Sequence, residues 1–126
     1  MEELTESQEQ ERLFEWAGLM SKRYPVLQLL YHIPNEGKRS PASGGRLKRM
    51  GLKRGVPDIC LPVSRGGYHG LYIELKCEHS GKATEEQLQW LKALDEQGYA
   101  AALCHGWWNA SRVIEKYIKM KTGMSE

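Results

Sequence analysis

Two short apolar runs, each carrying a carboxylate, constrain this chain more than any other feature. In "GVPDICLPVSRGGYHGLYIELK", residues 55–76, Asp58 opens the first run and Glu74 sits inside the second. A charge in a half-buried strand costs on the order of several kcal/mol unless it is paired or bound to a metal. The Gly-rich "SRGGYHG" between the runs favours an antiparallel hairpin, whose register can bring Asp58 beside Glu74. Glu74 and Lys76 are separated by one strand residue, so their side chains leave the same face of a sheet. Two adjacent carboxylates raise each other's pKa unless a divalent cation neutralises both, and oxygen-only ligation suits magnesium or manganese. A lysine beside such a site can position or deprotonate a water and stabilise charge on a phosphate, the needs of metal-assisted phosphodiester hydrolysis.

The letters E-x-K alone decide little, because about half a match is expected by chance in a chain of this length. The sequence contains two, and Glu36 to Lys38 lies in the Pro/Gly-rich "PNEGKRSPASGG". Only "ELK" lies in an apolar strand with "PD" upstream. Taken singly, Asp58 also suits a turn or cap, Glu74 an edge-strand acid paired with Lys76, and Gln87 a capping-box partner.

The rest of the chain reads as alternating helices and strands. Thr5 and Gln8 have capping-box spacing at a helix start, after which Leu13, Ala17 and Met20 form one stripe at 3.6 periodicity. Glu6 and Gln10 project onto that inward stripe, whereas Glu9 sits off it by about 60°. "VLQLLYHI" reads as a strand ended by Pro34, and Ser40–Pro41 starts a short helix through Met50. Thr84 and Gln87 repeat the capping box in a helix with Leu91 and Leu94 on its core face and Gly98 as its stop. "YAAALC" is a small-residue strand, and "NASRVIEKYIKMKTG" a closing helix with Val113, Ile114, Tyr117 and Ile118 inward. This order predicts an α/β fold, one domain over 1–126, with a mixed sheet between helices.

Charge distribution points to a polyanionic partner where the totals do not. The net charge is only +2, yet Lys38, Arg39, Arg46, Lys48, Arg49, Lys53 and Arg54 fall within 17 positions that contain no acid. Lying just upstream of Asp58, this segment is placed to hold a phosphodiester backbone. Trp107 and Trp108 suit core or dimer packing better than stacking on unpaired bases. Cys60, Cys77 and Cys104 sit in apolar stretches without C-x-x-C spacing, which favours reduced thiols. With no signal-like or membrane-length apolar run, a cytoplasmic protein that does not engage membranes is expected.

Together, "ESQEQERLF", "IPNEGKR", "GVPDICLP", "GLYIELK" and "TEEQLQWL" resemble the virus-type replication-repair nuclease (VRR-NUC) family of the PD-(D/E)XK nucleases. The resemblance spans nearly the whole chain and is to the small stand-alone members. It implies a restriction-endonuclease-like fold and a magnesium-dependent DNA endonuclease acting on branched DNA such as four-way (Holliday) junctions, as a homodimer. It implies metal ligation by Asp58, Glu74 and the Leu75 carbonyl, with Lys76 serving the attacking water. Gln87 would orient the lysine or a ligand, and Glu6 would hold a metal-bound water, with Glu9 close enough to compete for that place. The competing readings are a non-catalytic DNA-binding or interaction module on the same fold, a flap- or end-directed nuclease, and a site-specific restriction enzyme.

Overall fold

The computed structural model describes residues 2–34 and 41–122, with the side chains of residues 41–43 left aside; Lys38 and Arg39 therefore lie outside the described residues. The elements are α1 (Glu6–Met20), a 3-10 turn (Pro25–Leu29), β1 (Tyr31–His32), α2 (Pro41–Arg49), β2 (Ile59–Leu61), β3 (Leu71–Lys76), α3 (Glu85–Glu96), β4 (Ala100–His105) and α4 (Trp107–Ile118). Four strands form one mixed sheet in the order β1-β2-β3-β4. β2 and β3 make the expected antiparallel hairpin, with Ile59 opposite Ile73, and β4 returns parallel to β3 after α3. The fold is thus α/β, a mixed sheet flanked by helices.

The sheet's two faces follow from strand alternation. Ile59, Leu61, Leu71, Ile73 and Leu75 are buried on one face against Leu13 and Ala17 of α1 and Ala110, Ile114 and Tyr117 of α4. The intervening residues Tyr72, Glu74 and Lys76 leave the other face, as period 2 requires. Helix α3 lies against β4, and none of its residues is fully buried; Leu91 and Leu94 are only half-buried and Leu88 is 50% exposed.

Three expectations are corrected. The predicted strand 26–33 is mostly a 3-10 turn: Pro25 fixes φ at the turn's first position and removes an N–H that a ladder would need, and only Tyr31–His32 pair with β2. The closing helix starts at Trp107, two residues early, and Val113 is half-buried rather than inward. Glu9 is buried at 2% exposure although the wheel put it aside. Its Oε1 accepts a 2.8 Å hydrogen bond from the Trp107 N–H, one of the orphan donors at the start of α4, so the carboxylate joins α1 to α4. Cys60 and Cys104 are buried, Cys77 is half-buried, and all three are free thiols.

Candidate active site

Both capping boxes form as their spacing suggests, and they orient the helices that border the site. In α1, Thr5 accepts from the Gln8 N–H and the Gln8 side chain accepts from the Thr5 N–H. The same exchange between Thr84 and Gln87 starts α3 and occupies Gln87 Oε1 at 2.8 Å, leaving its amide nitrogen as the donor available to the site.

Asp58 is set by what lies before it. Gly55 has φ +88, and a Cβ there would come within 2.8 Å of the Glu86 backbone, so only glycine lets this segment rest on the start of α3. Trp90 of α3 donates its Nε1–H to the Arg54 carbonyl at 2.9 Å and holds the same segment from its other side. At Asp58 the backbone carbonyl accepts from the Ile33 N–H at 2.6 Å, and His32 Nδ1 lies 3.0 Å from the same oxygen. The side chain turns toward β3, where Oδ2 accepts from the Leu75 N–H at 2.8 Å. The ladder between β2 and β3 ends at the Ile59–Ile73 pair. Leu75, two residues further on, therefore presents both N–H and C=O to the gap that the Asp58 side chain occupies.

Glu74 is 1% exposed, and its Oε1 is buried without a hydrogen-bond partner among the described residues. Burial pushes its carboxyl up to about 8, the Asp58 charge and a hydrogen bond with Asp58 push the same way, and the Lys76 ammonium opposes them. Lys76 Nζ stands 3.7 Å from Glu74 Oε2 and 3.8 Å from Glu6 Oε2, while its side chain is 8% exposed. Lys76 is thus a buried cation held between two carboxylates at distances longer than direct hydrogen bonds.

These groups border an open cleft of about 430 Å³ whose walls include Glu6, Gln10, His32, Asp58, Glu74 and Gln87, with Ser7 and Leu75. Of the two helix-1 acids, Glu6 faces the cleft and Glu9 faces α4. His32 was not legible in the sequence; its position on β1, bonded through Ile33 to Asp58, is the signal that pairing reveals. Arg46, Lys48, Arg49, Lys53 and Arg54 are exposed on α2 and the segment leading to Asp58.

Among the described residues, no group of three or more His, Cys, Asp and Glu side chains converges on one ligating point. The donors present are two carboxylates and a backbone carbonyl, a set that fits a hard cation keeping several waters. Glu74 Oε1 has no hydrogen-bond partner among the described residues and its carboxyl is pushed up, and a cation bound there would relieve both.

No curated protein matches the chain. A solved structure described as "VRR_NUC domain protein" is 33% identical, covers 100% of this chain with 99% of its own, and superposes with a TM-score of 0.82. The model of the VRR-NUC domain matches residues 4–108, from the residue before the α1 N-cap to the first turn of α4, and so takes in every residue that walls the cleft. The chain belongs to the VRR-NUC domain family, a family of nucleases.

Proposed function

We propose that this protein is a magnesium-dependent endodeoxyribonuclease that cuts branched DNA such as four-way junctions and works as a homodimer. The observation that carries the catalytic part is the unpartnered buried Oε1 of Glu74 beside Asp58, with Lys76 on the same strand face. Asp58, Glu74 and the Leu75 carbonyl would hold the cation. Bound there, such an ion would supply neutralising charge for the carboxylate pair and Lewis acidity toward water.

The chain's own groups account for the remaining needs of phosphodiester hydrolysis. The Leu75 N–H fixes the Asp58 carboxylate, so its orientation costs no reorganisation during reaction. Lys76, held near Glu74 and Glu6, presents an ammonium that can donate a hydrogen bond or a proton and offset charge on the attacked phosphate. Gln87 offers its amide N–H, since its oxygen is engaged by Thr84. Glu6, half-exposed in the cleft wall, would accept hydrogen bonds from water there. The basic residues Arg46, Lys48, Arg49, Lys53 and Arg54, with Lys38 and Arg39 of the preceding segment, supply phosphate contacts that do not read sequence.

The test is cleavage of labelled linear duplex, flap, splayed-arm and four-way junction DNA by the purified protein, with magnesium and with EDTA. Junction cutting only with magnesium or manganese is expected. Binding without cleavage under every metal condition would favour a non-catalytic module, and cutting confined to flaps or ends would overturn the junction assignment.

A further inference from the structure

We propose that α2 folds as it binds DNA: in the free protein the helix is only partly populated, and the phosphate backbone completes it. This rests on the DNA reading above and adds how its basic surface engages the substrate. α2 is nine residues long, shorter than the roughly 12–15 at which an isolated helix holds in water. Gly44 and Gly45 lie in its middle, and each disfavours a helix about fivefold relative to alanine. The fold gives no steric reason for either. A Cβ on Gly44 would meet nothing within 4 Å, one on Gly45 would meet only the flexible end of Arg49 at 3.7 Å, and neither has positive φ.

Packing does not make up the deficit. Helix α1 lies on α4 and β3, α3 on β4, and α4 on β3 and β4, whereas among the described residues α2 has no more than passing contact with any element. Burial against a partner element is what usually stabilises a short helix in a protein. None of residues 44–50 is buried, and Arg46, Lys48, Arg49 and Met50 are exposed.

The C-terminal end is, by contrast, well made. The Leu52 N–H donates to the Leu47 carbonyl and the Gly51 N–H to the Lys48 carbonyl, both at 3.0 Å, with Gly51 at φ +107, so the helix closes in a Schellman turn. Arg46, Lys48 and Arg49 occupy the last turn, where cations suit the helix dipole. Beyond it, Trp90 fixes the Arg54 carbonyl and Gly55 rests on Glu86. The helix thus has an anchored last turn from which it can grow towards Pro41, and what it lacks is a partner. At 100° per residue Arg46, Lys48 and Arg49 fall within an arc of about 160°, with Gly44 and Leu47 outside it. A polyanion along that arc removes the repulsion between Arg46 and Arg49, one turn apart, and holds them in helical spacing. Apparent affinity is then the intrinsic affinity scaled by the helical fraction, so the two glycines weaken binding to every DNA sequence alike.

Gly44→Ala is the decisive variant, because its methyl falls outside the basic arc. Anisotropy should show junction and linear duplex DNA bound about 3–5-fold more tightly than by the wild type. Gly44→Val should fall between wild type and alanine, following helix propensity, whereas a side chain that merely added a DNA contact would make valine the tightest. Hydrogen exchange of the amides of residues 45–50 should be rapid in the wild type alone, slower in Gly44→Ala alone, and slow in both with DNA bound. Wild-type amides as protected free as bound, or an alanine variant that gains protection without gaining affinity, would overturn coupled folding. A protein that shows these shifts but fails the cleavage assay above loses the nuclease reading alone. One that cuts normally, with affinity unmoved by Gly44→Ala, loses only the coupled folding, and one that binds no DNA loses both.

Discussion

Glu74→Gln should stabilise the metal-free protein at high pH, although it removes a candidate catalytic group. Burial and Asp58 raise the folded-state pKa of Glu74 from 4.5 to about 8. Between those values the folded chain holds more protons than the unfolded chain, so this contribution is complete below pH 4.5 and is lost as pH rises through about 8. The slope is at most about 1.4 kcal/mol per pH unit, so the whole shift has an upper bound of about 5 kcal/mol, and relaxation with entering water brings it to roughly half. Glutamine keeps the shape, carries no charge, and donates to Asp58 as the protonated acid does. Against this, it removes the partner 3.7 Å from the Lys76 ammonium. In EDTA, thermal melts of wild type and variant should coincide near pH 5 and diverge by about 5–10 °C in favour of the variant near pH 9, at roughly 3–5 °C per kcal/mol for a domain of this size. Magnesium should erase the divergence by stabilising only the wild type, and more so as pH rises. A wild type whose stability relative to Glu74→Gln does not change between pH 5 and 9 would refute the reasoning.

Glu9→Ala should cost about 2–3 kcal/mol, because it leaves the Trp107 N–H unpaired and opens a buried cavity, while Glu9→Gln keeps an acceptor and costs less; urea unfolding checks both. Reversing Arg46 and Arg49 to Glu should weaken binding to all DNA sequences alike and flatten its salt dependence, measured by anisotropy across a salt series. Trp90→Phe should change the melting point by only about 1 kcal/mol-equivalent yet weaken DNA binding, because it releases the basic segment at Arg54; unchanged affinity would make that hydrogen bond purely local.

Much of the site was legible because it rests on short-range periodicity. The two-residue strand period puts Glu74 and Lys76 on one face, and the Gly-rich connection implies the hairpin that brings Asp58 beside them. The capping boxes are likewise local, and both form. What the sequence hid depends on distant partners. Glu9 is inward because it meets a helix terminus 98 residues away, which no wheel of α1 contains. His32 reaches the cleft through pairing of a two-residue strand inside a stretch whose apolar letters suit a longer one. The half-buried face of α3 shows the same limit: Leu91 and Leu94 have the right spacing, but how much covers them is a property of the assembled sheet.

The most direct measurement is single-turnover cutting of a labelled four-way junction by wild type, Asp58→Asn and Lys76→Ala, each shown by anisotropy to bind the junction. The wild type should cut with magnesium and not with EDTA, and each variant should lose orders of magnitude in rate while binding is largely retained. Near wild-type cutting by either variant would contradict a nuclease centre built on Asp58, Glu74 and Lys76.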